Sequence, residues 1–150
     1  MNDFWEIIGS SPMRDDTDVQ TALDRVAGRL SKVSTDGLVE FAGRLERCLY
    51  LLDRRDFAEI PVELPDGRAF SQTSDHFLYA RCACVLSGAA EFDKVLQTGT
   101  GFERFVAPGL QGAEGLLYLA PEIYESRTGE EMMVRSEFSI EWMSNKDGWA

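Results

Sequence analysis

The spacing of apolar residues in the first third of the chain constrains the fold most strongly. Apolar side chains recur every three or four residues through two successive stretches, which is the period of an α-helix with one buried face. Only a few polar residues separate the stretches, so we expect the two helices to pack antiparallel as a hairpin. The first stripe consists of Val19, Leu23, Val26, Ala27 and Leu30, and the second of Leu38, Phe41, Ala42, Leu45, Cys48, Leu49 and Leu52.

Short polar side chains mark where these helices are expected to begin. Thr17 followed by Gln20 fits a capping box, in which a hydroxyl and an amide satisfy N–H groups at the end of the helix. Ser34 or Thr35 is expected to start the next helix, and Ser74 is expected to cap the first helix of the second half.

The middle of the chain is predicted to be a long ordered loop. Residues 53–73 contain Pro61, Pro65 and a Pro-Asp-Gly triplet that is typical of a turn. Apolar and other residues alternate over 60–64, which allows a short extended piece, but two prolines argue against a central strand.

Helical spacing returns after this loop, where Gly88 separates two predicted helices. A glycine-rich stretch over 98–112 is expected to be irregular and flexible. The last predicted helix contains Pro121, which either kinks it or divides it in two. The three predicted helices are one that starts at Ser74, one over 89–96 and one over 114–126.

The C-terminal tail leaves its structure open. Apolar and polar residues alternate over 137–142, as in a strand, but no strong partner strand is visible, so a helical turn or an ordered tail remains an alternative. A length of 150 residues is typical of one domain. The sequence therefore predicts an all-α single domain over residues 1–150, with about six helices, a long middle loop and at most a minor β element.

The chain is strongly acidic. It contains 15 Lys and Arg against 26 Asp and Glu, which gives a net charge of −11. This charge argues against binding to nucleic acid or to an anionic membrane, because both attract positive surfaces. The region from residue 101 onward holds nine acidic and four basic residues. It is either a solvated acidic face or a docking surface for a basic protein, with Glu122, Glu125 and Trp142 as candidate contacts.

The cysteines and the single histidine indicate neither a metal site nor a cofactor. Cys48, Cys82 and Cys84 form no CxxC pair, and His76 is the only histidine. The glycines near residue 100 do not complete a nucleotide-binding fingerprint. We expect the cysteines to be small buried apolar residues. Their odd number, the lack of a signal-like start and the lack of a long apolar run favour the cytoplasm.

One polar group near the middle loop suggests a ligand site. Asp75, Tyr79 and Arg81 would supply an acid, a phenol and a guanidinium if they met in a cleft, and Glu122 and Tyr124 could extend that site. The alternative, which we favour, is that Asp75 and Arg81 hold the neighbouring loop through hydrogen bonds and ion pairs.

Several segments together resemble a bacterial family known as domain of unknown function 4240. They are FWEII at 4–8, LVEF at 38–41, CLYLLD at 48–53, SDHFLYAR at 74–81, Gly88, LYLAPEIYE at 117–125 and TGE at 128–130. The resemblance covers about residues 3–131. It implies a predominantly helical cytoplasmic bacterial protein and carries no activity with it. The loop at 59–70 departs from the family pattern, and the tail after Glu131 lies outside the resemblance.

Two functions are compatible with these features. The first is a non-enzymatic protein-interaction module, such as an immunity or antitoxin-like inhibitor or an adaptor, that docks a basic partner through its acidic surface. The second is a small-molecule-binding protein or an enzyme that uses a polar cleft around Asp75, Tyr79 and Arg81. The oligomeric state stays open.

Overall fold

The structure, a computed structural model, describes residues 3–134 and 136–150 and is predominantly helical. Its described part contains eight α-helices, two 3₁₀ helices and one two-stranded sheet. The six longer α-helices agree in number with the prediction of about six, and α4 and α8 are additional single turns. The α-helices are α1 (Asp3–Ile8), α2 (Asp16–Leu30), α3 (Thr35–Leu51), α4 (Arg55–Ala58), α5 (Ser74–Ser87), α6 (Ala89–Thr98), α7 (Leu119–Thr128) and α8 (Lys146–Trp149).

The helix starts are close to those predicted, but two of the three capping residues are wrong. Asp15, and not Thr17, caps α2 by accepting from the Asp18 backbone N–H at 2.9 Å. A carboxylate at this position also interacts favourably with the helix dipole. Gln20 instead donates to Asp24 one turn later. Ser34 caps α3 as predicted.

The cap of α5 is Thr73, one residue before the predicted Ser74. The Thr73 hydroxyl accepts from the backbone N–H of His76 at 3.0 Å, and Ser74 is the first helical residue. Successive Thr, Ser and Asp side chains are all good caps, so only the backbone conformation decides which one is used.

Helices α2 and α3 do not form the predicted close hairpin. Helix α2 packs mainly on the second 3₁₀ helix, Pro108–Leu117, whereas α3 packs mainly on α7. Glycines make this possible, since a Cβ at Gly115 would lie only 2.9 Å from the Leu23 Cδ1 atom. Gly112 faces Val19 less closely, since a Cβ there would make an ordinary contact at 3.7 Å from the Val19 Cγ1 atom. Because a 3₁₀ helix repeats every three residues, glycines at this spacing lie on one side and allow close packing.

The glycine-rich region is therefore regular. The first 3₁₀ helix, Phe102–Val106, buries Phe102 and Phe105 in the core, and the second runs up to Tyr118. Residues 114–117 thus belong to a 3₁₀ helix and not to the predicted α-helix. Pro121 lies in the first turn of α7, where its missing N–H removes no helical hydrogen bond.

The segment predicted to be a long loop contains helix α4 and a short β hairpin, and little of it is extended. Strand β1 (Val62–Glu63) pairs antiparallel with β2 (Ala69–Phe70) around the predicted turn. The buried Gln72 amide donates to the carbonyls of Phe57, Ala58 and Ile60, and thereby fixes this segment on the core. The short extended piece is confirmed as part of a minor hairpin.

Helix α5 lies at the centre of the molecule. Its residues from Ala80 to Ser87 are all buried, and it contacts both 3₁₀ helices, α3 and α6. The buried apolar side chains form one cluster that extends from Phe4 to Met132. The tail lies against this body as an ordered segment that ends in α8, and its described residues form no strand. Among the helices that the structure describes, none is long and apolar enough to cross a membrane.

Candidate functional site

The structure does not bring the three predicted polar residues together. Asp75 is exposed on the first turn of α5, and Tyr79 is half-buried one turn later. Arg81 is fully buried, with 0% of its surface exposed. Its guanidinium group donates to the backbone carbonyls of Leu49 on α3, at 2.9 Å, and Ile140 in the tail, at 3.0 Å. Arg81 therefore holds the tail, and not the middle loop, against the core.

The environment of Arg81 is unusual for a charged side chain. The guanidinium group lies over the Phe77 ring at 4.4 Å from the ring centroid. Its Nε atom is buried and has no partner within the described part of the chain. Burial lowers the pKa of Arg81, and the negative charge of Asp53 opposes this shift.

Asp53 is the second buried charged residue, and its carboxylate binds N–H groups near the C-terminal end of the chain. Its carboxylate accepts from the backbone N–H groups of Met143, Ser144 and Asn145 at 2.8 to 3.1 Å. It also accepts from the Trp149 indole at 2.7 Å. Four N–H donors therefore compensate for the burial of this carboxylate. Sequence analysis missed this site. The only local sign is an acid directly after the apolar run CLYLL at 48–52.

Side chains from several elements leave a cavity of about 360 Å³, referred to below as the apolar cavity. Its walls come from α3, α5, the second 3₁₀ helix, the start of α7 and the tail. This volume is within the range of small-molecule pockets. The lining residues are Phe41, Ala42, Leu45, Glu46, Leu78, Tyr79, Leu116, Leu117, Tyr118, Ala120, Pro121, Val134 and Ile140.

Two tyrosines on the solvent side of the apolar cavity share one carboxylate. Tyr118, which is 45% exposed, donates its hydroxyl to Glu114 at 2.8 Å. Tyr79 also hydrogen-bonds Glu114, and this bond raises the pKa of Tyr79 to about 12. The nearby charge of Asp75 acts in the same direction. Both phenols therefore stay protonated at neutral pH, and neither is poised as a general base.

A different carboxylate, that of Glu46, lines the apolar cavity itself. Glu46 on α3 is half-buried, and burial raises its pKa, while a hydrogen bond with Ser136 opposes the shift. Sequence analysis named Tyr79 but missed Glu46, Glu114 and Tyr118. Glu114 and Tyr118 are four residues apart, which makes them neighbours on a helix, but nothing in the sequence relates this pair to Glu46 or Tyr79.

The two acidic residues predicted to contact a partner lie on α7. Glu122 and Glu125 are exposed on α7, and Glu122 follows the lining residue Pro121. Trp142 is partly buried, with its ring at 6.1 Å from that of Trp149. Trp142 therefore takes part in the packing of the tail, and its role as a contact for a partner stays a prediction. Tyr124 is partly buried against the core.

The cysteines are buried, as predicted, and are unsuited to nucleophilic catalysis. All three are free thiols. Burial raises the pKa of Cys48 and Cys82 to about 12, and that of Cys84 also upward. His76 contacts the Val106 carbonyl oxygen through Nε2 at 2.7 Å. Within the described residues no group of His, Cys, Asp and Glu side chains could hold a metal ion.

This burial predicts slow thiol chemistry. We expect all three cysteines of the native protein to react with a disulfide reagent at pH 8 at least about 100-fold more slowly than in urea, because the reactive thiolate forms only after local opening. Absorbance of the released thiol measures the rate. A cysteine that reacts fast in the native protein would contradict the burial.

A family model described as Protein of unknown function (DUF4240) matches residues 1–126. The chain belongs to this family. The match confirms the resemblance and ends near the C-terminus of α7, so the DUF4240 region supplies Asp53, Arg81 and most of the apolar cavity. The tail that covers them follows the matched region. No curated protein and no solved structure matches the chain.

Proposed function

We propose that this protein is a non-enzymatic protein-interaction module of the cytoplasm, which binds a basic protein partner through an acidic surface on α7 and the tail. The supporting observation is that every acidic residue from Glu122 onward is exposed. The carboxylates of this acidic surface are Glu122, Glu125, Glu130, Glu131, Glu137, Glu141 and Asp147. A surface of one charge accelerates association with a partner of the opposite charge.

Salt bridges within the protein neutralise little of the negative charge of the acidic surface. Arg127, on the same helix as Glu122 and Glu125, uses its guanidinium group on the carbonyls of Ser31 and Val33, at 2.7 and 2.6 Å. It therefore fixes α7 to the α2–α3 turn. The four salt bridges found among the described residues contain none of the carboxylates of the acidic surface. These carboxylates thus remain available to a partner.

A basic protein partner is compatible with two biological roles. An immunity or antitoxin-like inhibitor would cover the functional surface of a basic toxin, and an adaptor would join a basic protein to another component. Both roles need a stable acidic surface and no catalytic group. The free cysteines support a reducing compartment such as the cytoplasm.

The test is capture of partners from the native host lysate with two charge-matched variants. We expect the wild-type protein to retain a basic protein at low salt and to release it in about 0.5 M salt, because screening is then strong. Glu122→Gln with Glu125→Gln should weaken retention about threefold to tenfold.

The control is Glu59→Gln with Glu63→Gln, which removes the same charge from exposed residues near the β hairpin. This control should retain the partner like the wild type. If both double variants lost partner retention equally, the effect would come from net charge and not from the α7 residues. The absence of any basic protein released by salt would refute the proposal.

A further inference from the structure

The apolar cavity offers a second layer of recognition, which rests on the proposed function. Its floor is formed by aliphatic and aromatic side chains such as Phe41, Leu45 and Leu116, which are buried. An aliphatic chain placed here would remove apolar surface from water on both sides. A purely charged group would lose hydration and gain no contact with these walls.

The polar groups of the cavity carry one sign of charge. Glu46 lines the cavity, and Glu114, which does not line it, hydrogen-bonds the two lining tyrosines, Tyr79 and Tyr118. None of the described lining residues is Lys or Arg. Glu114 accepts two phenolic hydroxyls, and a carboxylate has room for about four donors. The cavity is therefore apolar inside, with hydrogen-bond acceptors of negative charge at its edge.

We propose that the apolar cavity receives an arginine side chain of the basic partner. The methylene stem lies along Leu78 and Leu116, while the guanidinium group donates to Glu114 or Glu46. The rings of Tyr79 and Tyr118 offer faces on which a flat cation stacks. Arginine fits better than lysine, because its guanidinium group can stack and can bind a carboxylate through two parallel hydrogen bonds.

Adjacent charges increase the complementarity. Glu122 follows the lining residue Pro121, and Glu141 follows Ile140, and both carboxylates are exposed. An apolar centre surrounded by charged groups is the usual arrangement of an interface hot spot. The arginine thus serves as the anchor, and the acidic surface serves to attract the partner.

The first experiment uses n-pentylguanidinium as the probe on the full chain, with n-pentylurea as its neutral counterpart of the same shape. We expect amide chemical shifts in NMR spectra to change mainly at Leu78, Tyr79, Leu116 and Leu117. Pentylurea should bind at least about threefold more weakly, because it lacks the charge that the carboxylates attract.

Matched variants assign the effect to the cavity. Glu46→Gln with Glu114→Gln keeps acceptors for Ser136 and for the tyrosines but removes both charges, and should weaken binding of pentylguanidinium about threefold to tenfold. The control Glu59→Gln with Glu63→Gln should leave it unchanged. Unchanged thermal melting of all variants verifies folding.

Two outcomes overturn the inference. Shift changes spread over the whole acidic surface would mean that the cation binds without the cavity. Equal binding of pentylurea would assign the cavity to a neutral apolar molecule. Neither outcome affects capture of the basic partner through Glu122 and Glu125, so failure of the cavity proposal is distinguishable from failure of the proposed function.

Discussion

Replacement of Asp53 by Asn is expected to lower the free energy of unfolding by about 2 to 4 kcal/mol, because buried N–H groups that lose a charged acceptor each cost roughly 1 to 3 kcal/mol. Two effects add. The buried Arg81 loses the negative charge that stabilises it. An amide also offers one acceptor atom where the carboxylate offers two, so either the Met143 and Trp149 N–H groups or those of Ser144 and Asn145 lose their acceptor.

The same substitution should release the tail before the body unfolds. Urea denaturation gives the free energy of unfolding, and hydrogen exchange at residues 143–145 reports the tail separately. We expect these amides to exchange faster in Asp53→Asn under native conditions. Limited proteolysis should cut the released tail between α7 and α8.

The matched control is Asp66→Asn. Asp66 is an exposed aspartate whose hydrogen bonds go to Arg68, two residues away in the β turn. A substitution at such a surface position usually changes stability by less than about 0.5 kcal/mol. If Asp53→Asn were as mild as this control, the buried carboxylate would not hold the tail.

The second large effect is expected at Gly88, between α5 and α6. Its backbone has φ +119° and ψ 171°, a conformation that is almost restricted to glycine. A Cβ at this position would also lie 2.8 Å from the backbone oxygen of Gly9. Gly88→Ala should therefore destabilise the protein by about 3 kcal/mol, the sum of backbone strain and displacement of the α1–α2 connection.

Thermal unfolding measures this effect. A loss of 3 kcal/mol corresponds to a decrease of roughly 6–12 °C in Tm for a chain of this size. Gly129→Ala separates strain from collision, because Gly129 also has a positive φ, +74°, but its Cβ would meet no atom within 4 Å. We expect it to cost only about 1 kcal/mol. Equal losses at the two glycines would show that the contact with Gly9 contributes nothing.

The longer helices could be predicted from the sequence because their signal is local. The three-and-four spacing through Val19 and Leu23, or Leu38 and Phe41, needs one buried face and no knowledge of what covers it. The cap at Ser34 and the break at Gly88 are local in the same sense. What covers each face is not local. The sequence pairs α2 with α3, whereas Gly112 and Gly115 let a 3₁₀ helix take that place.

The residues of the candidate site divide in the same way, into those that a local sequence signal indicates and those that only long-range contacts bring together. Tyr79 could be named because a tyrosine near a helix start is visible in the sequence, but its partner Glu114 is 35 positions away in a region predicted to be irregular. Arg81 has the chemistry of a ligand-binding residue. Its buried guanidinium group, however, donates to backbone carbonyls that are 32 and 59 residues away in the sequence. These distant partners give Arg81 a structural role, which is to hold the backbone in place.

The sequence by itself determined the helical class, the acidic charge and the burial of the cysteines, because each follows from composition or from spacing within one turn. It also showed the family, through a resemblance along most of the chain that the match over residues 1–126 confirms. Only the tertiary structure decided which charges are buried. Asp53 meets its backbone donors across 90 or more residues, and a buried carboxylate is stable only where such donors converge. That convergence depends on the path of the whole chain, which no local pattern encodes.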